Sequence, residues 1–204
     1  MMRAILVACL LCLSLAAFAG QPGTFDAGLA ANKAGNHSVA LADFKLAAEQ
    51  GDARAQFLLG GMYYQGQGRL QSYAKAAKWF RLAAQQGDPA SQLILGTMYE
   101  RGQGIAQNYS VAVKWYRLAA QQGNANGQNN LGYMYRIGQG VPQSYVEAYK
   151  WTDLALAASK LSPSVQSLAS TNMRRLDAMM TSAQITQAQQ EASAWWAAHH
   201  KGGN

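Results

Sequence analysis

The sequence predicts an all-α chain: an α-solenoid of stacked antiparallel helix pairs, closed by a C-terminal capping helix pair. Three observations predict it. One heptapeptide recurs at a fixed interval, as LAAEQGD at 46–52, LAAQQGD at 82–88 and LAAQQGN at 118–124, each copy thirty-six positions after the last. Between the copies, apolar residues return at i, i+4 and i+7/i+8, the spacing of one helical face. Glycines keep the same register: Gly60, Gly96 and Gly132, then the pairs Gly66/Gly68, Gly102/Gly104 and Gly138/Gly140. A helix pair of this length cannot bury its apolar stripe alone, so stacked units share a continuous core.

The chain opens with a segment that is set apart from the fold. Met1–Arg3 is a short basic start, Ala4–Phe18 is almost unbroken apolar sequence, and Ala17-Phe18-Ala19 supplies the small-x-small pattern of a signal-peptidase site. Residues 1–19 are therefore expected to be a signal peptide cleaved after Ala19, with the protein periplasmic or secreted. The apolar stretch is shorter than the ~18–20 residues of a spanning helix, which argues against a retained anchor. Leu6-Val7-Ala8-Cys9 has the outline of a lipobox but sits too early, with too little hydrophobic sequence before it. Both cysteines, Cys9 and Cys12, leave with this segment. The mature chain then has no disulfide, thiolate nucleophile or cysteine metal ligand, although its compartment permits disulfides.

A divergent helical repeat is expected over 24–51, with helices at Phe25–Ala34 and Ser38–Gln50 and a break at Gly35-Asn36. Full repeats follow over 52–87, 88–123 and 124–159. In each, the first helix starts after an N-cap at Asp52, Asp88 or Asn124, with Pro89 at the favoured first helical position. It runs over about Ala53–Gln65 and stops at Gly66, where glycine adopts positive φ without steric cost. The second helix runs over about Tyr73–Gln86, with Tyr73, Ala76, Ala77, Phe80 and Ala84 inward, and Gly87 ends it. Gly60 and its equivalents lie mid-helix, where glycine costs about 1 kcal/mol relative to alanine. Close approach of a neighbouring helix is the expected compensation. Past Ala158 the repeat breaks: Lys160-Leu161-Ser162-Pro163 reads as a turn. Capping helices are expected over 164–200, the last opened by the capping box Thr181-Ser182-Ala183-Gln184. Their polar outer face is Gln184, Gln187, Gln189, Gln190 and Glu191.

The motifs Ala-Gln-x-x-Leu-Gly-x-Met-Tyr, Gly-x-Gly-Val, Ala-x-Lys-Trp-Tyr and Ala-Ala-Gln-Gln-Gly resemble those of the Sel-one-like repeat (SLR) family over roughly residues 25–158. The resemblance implies a tetratricopeptide-like superhelix with an extended inter-helix loop, and a role as adaptor or scaffold. It implies bacterial members in the periplasm or secreted, and first helices lining the concave face. A cysteine-rich branch of that family is linked to penicillin binding and β-lactamase activity. It pairs cysteines within each repeat, and residues 20–204 contain none.

Chemistry-bearing constellations are sparse, and the chain is expected to be no enzyme, with no cofactor and no metal. There is no HExxH, P-loop or GxSxG, and the Gly-x-Gly pairs follow helices instead of preceding them, so they read as turn glycines. His37 reads as a polar surface residue. His199-His200, adjacent on a helix, point in different directions and read as a solvated tail. Glu100, Glu147 and Asp153 form no evident acid–base pair. The periodic Trp79, Trp115 and Trp151 read as packing residues, whereas Trp195-Trp196 cannot both face one core. The formal charge of +7 comes from scattered residues, and one positive charge leaves with Arg3. It reads as a solvated surface, or as attraction to anionic envelope components; no nucleic-acid recognition motif accompanies it. The recurring Lys78, Arg81, Lys114 and Arg117 read the same two ways, as a solvating stripe or as a basic ladder.

Partner-binding residues are sought where the repeats differ: Phe57/Leu93/Asn129, Leu58/Ile94/Asn130, Gly61/Thr97/Tyr133 and Gln65/Arg101/Ile137. Arg101, Asn129, Asn130, Tyr133 and Arg136 are the polar or amphipathic candidates. The expected partner is a protein or peptide. An envelope polysaccharide or peptidoglycan is the alternative, and a β-lactamase-like hydrolase stands third, disfavoured by the missing cysteines.

Overall fold

The structure, a computed structural model, describes residues 23–67, 71–158 and 162–199. The expected signal peptide with its cleavage site and both cysteines, Gly68, Lys160-Leu161 and His200 lie outside the described residues. Among the described residues there are ten helices and no strand. They are α1 (Phe25–Lys33), α2 (His37–Glu49), α3 (Ala53–Gln65), α4 (Tyr73–Gln85), α5 (Pro89–Arg101), α6 (Tyr109–Gln121), α7 (Ala125–Ile137), α8 (Tyr145–Ala157), α9 (Pro163–Asp177) and α10 (Ser182–His199). This is the all-α arrangement of stacked helix pairs that the repeat predicts, in two compact units divided between Gln86 and Gly87.

Local chemistry sets the helix ends. The Asp52 side chain accepts from the Arg54 and Ala55 amides at 2.8 and 3.2 Å, Asp88 from Ser91 at 2.6 Å, and Asn124 from Gly127 at 2.9 Å. These groups satisfy amides that the first turn leaves unpaired. Gly66, Gly102 and Gly138 cap the same helices at φ of 76°, 68° and 70°, a region closed to most side chains. Ser72, Asn108 and Ser144 cap the second helices, accepting from the amides of Lys75, Val111 and Glu147. The loop before them carries a repeated staple. Gln71, Gln107 and Gln143 donate through Nε2 to the carbonyls of Tyr64, Glu100 and Arg136 at 2.7, 2.7 and 2.8 Å. The same atoms reach the hydroxyls of Tyr73, Tyr109 and Tyr145. Tyr73, expected inward, is thus half-buried, with its hydroxyl held at the loop.

The mid-helix glycines mark close approach. A Cβ on Gly60 would lie 2.9 Å from the Phe80 ring, on Gly96 2.7 Å from Tyr116, and on Gly132 2.7 Å from Thr152 Oγ1 and 2.9 Å from the Ala148 carbonyl. Gly28 holds the same place in the divergent pair, where a Cβ would meet Phe44 at 2.6 Å. The recurring Gln residues tie the ends of each pair together. Gln86 Nε2 donates to Gln56 Oε1 and Gln122 Nε2 to Gln92 Oε1, both at 2.8 Å.

In the first unit, α1/α2 and α3/α4 bury Phe44, Leu59, Met62 and Phe80 among alanines of both pairs. In the second, α5/α6 and α7/α8 bury Val113, Tyr116, Leu131, Met134, Trp151 and Leu154. The helices α9 and α10 pack on α8, and Leu176 and Ala188 close a second cluster with Ala148 and Tyr149. Helix α9 begins at Pro163 behind the Ser162 cap, one residue before the expected start of the capping segment. The capping box holds: Thr181 N donates to Gln184 Oε1 at 2.9 Å and Gln184 N to Thr181 Oγ1 at 3.3 Å. Not all of the expected outer face points away from the repeat. Glu191 pairs with Lys150 at 3.6 Å and Gln189 Nε2 donates to the Tyr149 hydroxyl at 3.4 Å.

Candidate partner-binding face

The candidate face lies within residues 87–204, on the first helices α5 and α7. Its origin is a substitution in the core. Phe80, Tyr116 and Thr152 occupy one register in successive repeats, each against the mid-helix glycine of its own pair. Tyr116 is fully buried, and its ring adds a hydroxyl that Phe80 lacks. That hydroxyl donates to the Glu100 carboxylate and lies 3.2 Å from Thr97 Oγ1. The Asn130 side chain of α7 lies near it as well. One buried phenol therefore holds two polar residues of α5 and lies near one of α7. Burial, together with the neighbouring Glu100 carboxylate, pushes the Tyr116 pKa well above its ordinary value. The hydroxyl accordingly stays a proton donor throughout the working pH range.

The five expected partner-binding residues separate into two environments. Arg101 is exposed in the last turn of α5, beside Glu100. Asn130 is half-buried near the Tyr116 hydroxyl. Tyr133 is 36 % exposed, and the Arg136 guanidinium lies over its ring at 5.1 Å from the centroid. Arg136 Nε is buried with no hydrogen-bond partner among the described residues. Asn129 is the correction. It is 2 % exposed, and its Oδ1 accepts from Asn172 Nδ2 of α9 at 3.1 Å. The first-helix position of Phe57 and Leu93 stays a packing position here; its neighbour has become a polar side chain of the cap. Thr97, a variable position not chosen as a candidate, and Glu100, read as an acid without a partner, join the network through Tyr116. The signal available was the Phe80-to-Tyr116 change within an otherwise constant register.

The second-helix cations of this unit sit in different surroundings. Lys114 is exposed, but Arg117 donates to the Tyr135 hydroxyl at 2.9 Å. Lys150, in the register of Lys114, is paired with Glu147 at 2.6 Å and Glu191 at 3.6 Å, while Trp151 Nε1 donates to Glu147 at 2.9 Å. Glu147 thus serves packing of the cap. Trp79 and Trp151 are buried and Trp115 is half-buried. Trp195 packs edge-on against Trp151 with centroids 5.7 Å apart, whereas Trp196 is 43 % exposed. His199 is helical and stacked on Trp195 at 4.1 Å, instead of lying in a frayed tail. His37 hydrogen-bonds Asn32 at 3.0 Å. Among the described residues, no three His, Cys, Asp or Glu side chains cluster as a metal site, and no helix is long and apolar enough to cross a membrane.

Comparison with known proteins follows the repeat. The family model described as Sel1 repeat matches residues 53–88, 89–124 and 125–159. No curated protein sequence matches. A solved protective antigen present in uropathogenic Escherichia coli strains, displaying an SLR fold, is 33 % identical with a TM-score of 0.70. The match covers 79 % of this chain and 33 % of that one, so this chain spans about a third of the antigen's length. A Sel1 repeat protein from Oxalobacter formigenes is 25 % identical with a TM-score of 0.63, over 89 % of this chain and 86 % of that one.

Proposed function

Because this chain belongs to the Sel1 repeat family, we propose that it is a non-catalytic scaffold of the bacterial cell envelope that holds a protein or peptide partner on the α5/α7 face. Helical repeats of this kind present extended surfaces on stacked first helices. The observation that carries the assignment is the state of the variable residues on those helices. Tyr133 stays exposed under the Arg136 guanidinium and Arg101 is unpaired among the described residues, while Tyr116 fixes their polar neighbours from below. Aromatic and arginine side chains on a rigid element are the groups that most often dominate binding energy. The envelope assignment is supported by the signal-like segment at 1–19, and by similarity to an antigen described as protective, which fits a protein that immune molecules can reach. The non-catalytic assignment is supported by the structural roles already taken by Glu100 and Glu147.

The test is a pulldown from envelope extract with the wild-type chain and with the double variant Arg101→Glu/Tyr133→Ala. A specific protein is expected with the wild type and lost with the variant, while far-ultraviolet circular dichroism stays unchanged. Retention of the partner by the variant would move the binding surface elsewhere. Co-sedimentation with purified sacculi, abolished by salt, with no protein captured, would favour the carbohydrate alternative.

A further inference from the structure

We propose that the partner segment recognised by the α5/α7 face is acidic: an extended peptide whose carboxylates meet Arg101 and Arg136 while an aromatic or apolar side chain rests on Tyr133. The proposal rests on the scaffold reading above and specifies its ligand. Four ion pairs join described residues, Lys45–Glu49, Arg54–Asp52, Lys150–Glu147 and Lys150–Glu191, and neither Arg101 nor Arg136 takes part in any of them. Both arginines sit in the last turns of first helices, Arg101 on α5 and Arg136 on α7. Glu100 is adjacent to Arg101 in sequence and holds the same repeat position as Arg136. Its carboxylate accepts from the Tyr116 hydroxyl.

The arrangement is particular to the middle repeat. Phe80 has no hydroxyl to offer, and the Thr152 hydroxyl donates to its own helix at the Ala148 carbonyl, 2.8 Å away. Of the three, Tyr116 alone reaches an acid, and the Arg101 and Arg136 guanidiniums have no charged partner among the described residues. Arginine presents a planar fork suited to bidentate carboxylate binding, and it is more weakly hydrated than lysine, so it is readily desolvated at an interface. Arg136 is also pre-ordered, with its guanidinium stacked over Tyr133 and Nε already buried. Little side-chain freedom is left to lose on binding. Glu100 then acts as a standing like-charge penalty against any acidic ligand, setting its affinity below what the arginines alone would give.

The experiment selects binders from a random octapeptide display library on the full chain, then titrates the fluorescein-labelled winners. Winners enriched in Asp and Glu are expected. Their affinity should fall about tenfold or more with Arg136→Gln, and also with Arg101→Gln, and should weaken with added salt. It should rise several-fold, by roughly 3–10 times, with Glu100→Gln. A merely structural role for Glu100 predicts no gain. Neutral or basic winners that are lost with Tyr133→Ala would overturn the acidic assignment and leave the scaffold standing. An affinity unmoved by Glu100→Gln would equally overturn it. Binding of polygalacturonate with no peptide selected would overturn it in favour of carbohydrate, and no binder of any kind would remove the scaffold as well.

Discussion

Replacing Gly140 by alanine is expected to lower the stability of the 87–204 unit by about 2–4 kcal/mol. Two independent penalties add. Gly140 has φ +74°, where an L-residue is less stable by roughly 1–2 kcal/mol. The added Cβ would also stand 2.4 Å from the carbonyl carbon and oxygen of Tyr109 and 2.8 Å from the Ser110 amide. Those are backbone atoms at the start of α6, so no rotamer change relieves the clash. The second glycine of the loop is therefore a seat for the loop against the preceding helix pair, as well as a turn residue. Gly123→Ala separates the penalties. Gly123 has φ +77° with nothing within 4 Å of a built Cβ, so it carries the conformational penalty alone. Urea unfolding followed by tryptophan fluorescence checks both variants. Equal losses for the two would show that the Tyr109 contact contributes nothing.

The second large effect is a contrast between helical glycines. Gly132→Ala is expected to destabilise by roughly 1–3 kcal/mol even though alanine is the better helix former. Its Cβ would lie 2.7 Å from Thr152 Oγ1, 2.9 Å from the Ala148 carbonyl and 3.3 Å from the Thr152 amide, so α7 and α8 must separate. Gly61, one position after the tightly packed Gly60, has nothing within 4 Å. Gly61→Ala should therefore stabilise by about 0.5–1 kcal/mol through its helical preference alone. Thermal or urea melts of the two variants must move in opposite directions. A gain for Gly132→Ala would mean that α7 and α8 tolerate a wider spacing than the close approach at Gly132.

Most of the repeat was legible because the residues that punctuate it have one physical reading each. An Asp or Asn before an apolar run and a glycine after it bound α3, α5 and α7. A glycine kept mid-helix despite its low propensity signals backbone approach, which the Phe80, Tyr116 and Thr152 contacts bear out. The loop staple was not legible. Gln71, Gln107 and Gln143 look like solvated loop residues, and their role depends on carbonyls seven positions earlier.

Part of the candidate site was hidden for a different reason. Variation between repeats marks freed surface only when the neighbour of that position stays the same. Tyr133 satisfies the condition and is exposed. Asn129 does not: the cap presents Asn172 to it, and a buried asparagine pair replaces the apolar contact made by Leu93. Each amide in such a pair offsets the desolvation of the other, so the polar character of Asn129 says nothing of solvent. Glu100 was discounted as an isolated acid because nothing in a linear reading brings it to the Tyr116 hydroxyl sixteen positions on. Tyr116 has no hydroxyl counterpart at Phe80, and the Thr152 hydroxyl donates to its own helix, so the contact with Glu100 does not recur in the other two repeats.

Photo-crosslinking in intact cells tests the central claim most directly, with a benzophenone-bearing residue in place of Tyr133 on α7 and, as control, in place of Leu118. Leu118 is 42 % exposed on the second helix α6, so reagent access alone favours it slightly over Tyr133 at 36 %. A binding face on the first helices predicts discrete protein adducts from position 133 and none of them from position 118. Adducts of the same pattern from both positions, or adducts from 118 alone, would contradict it.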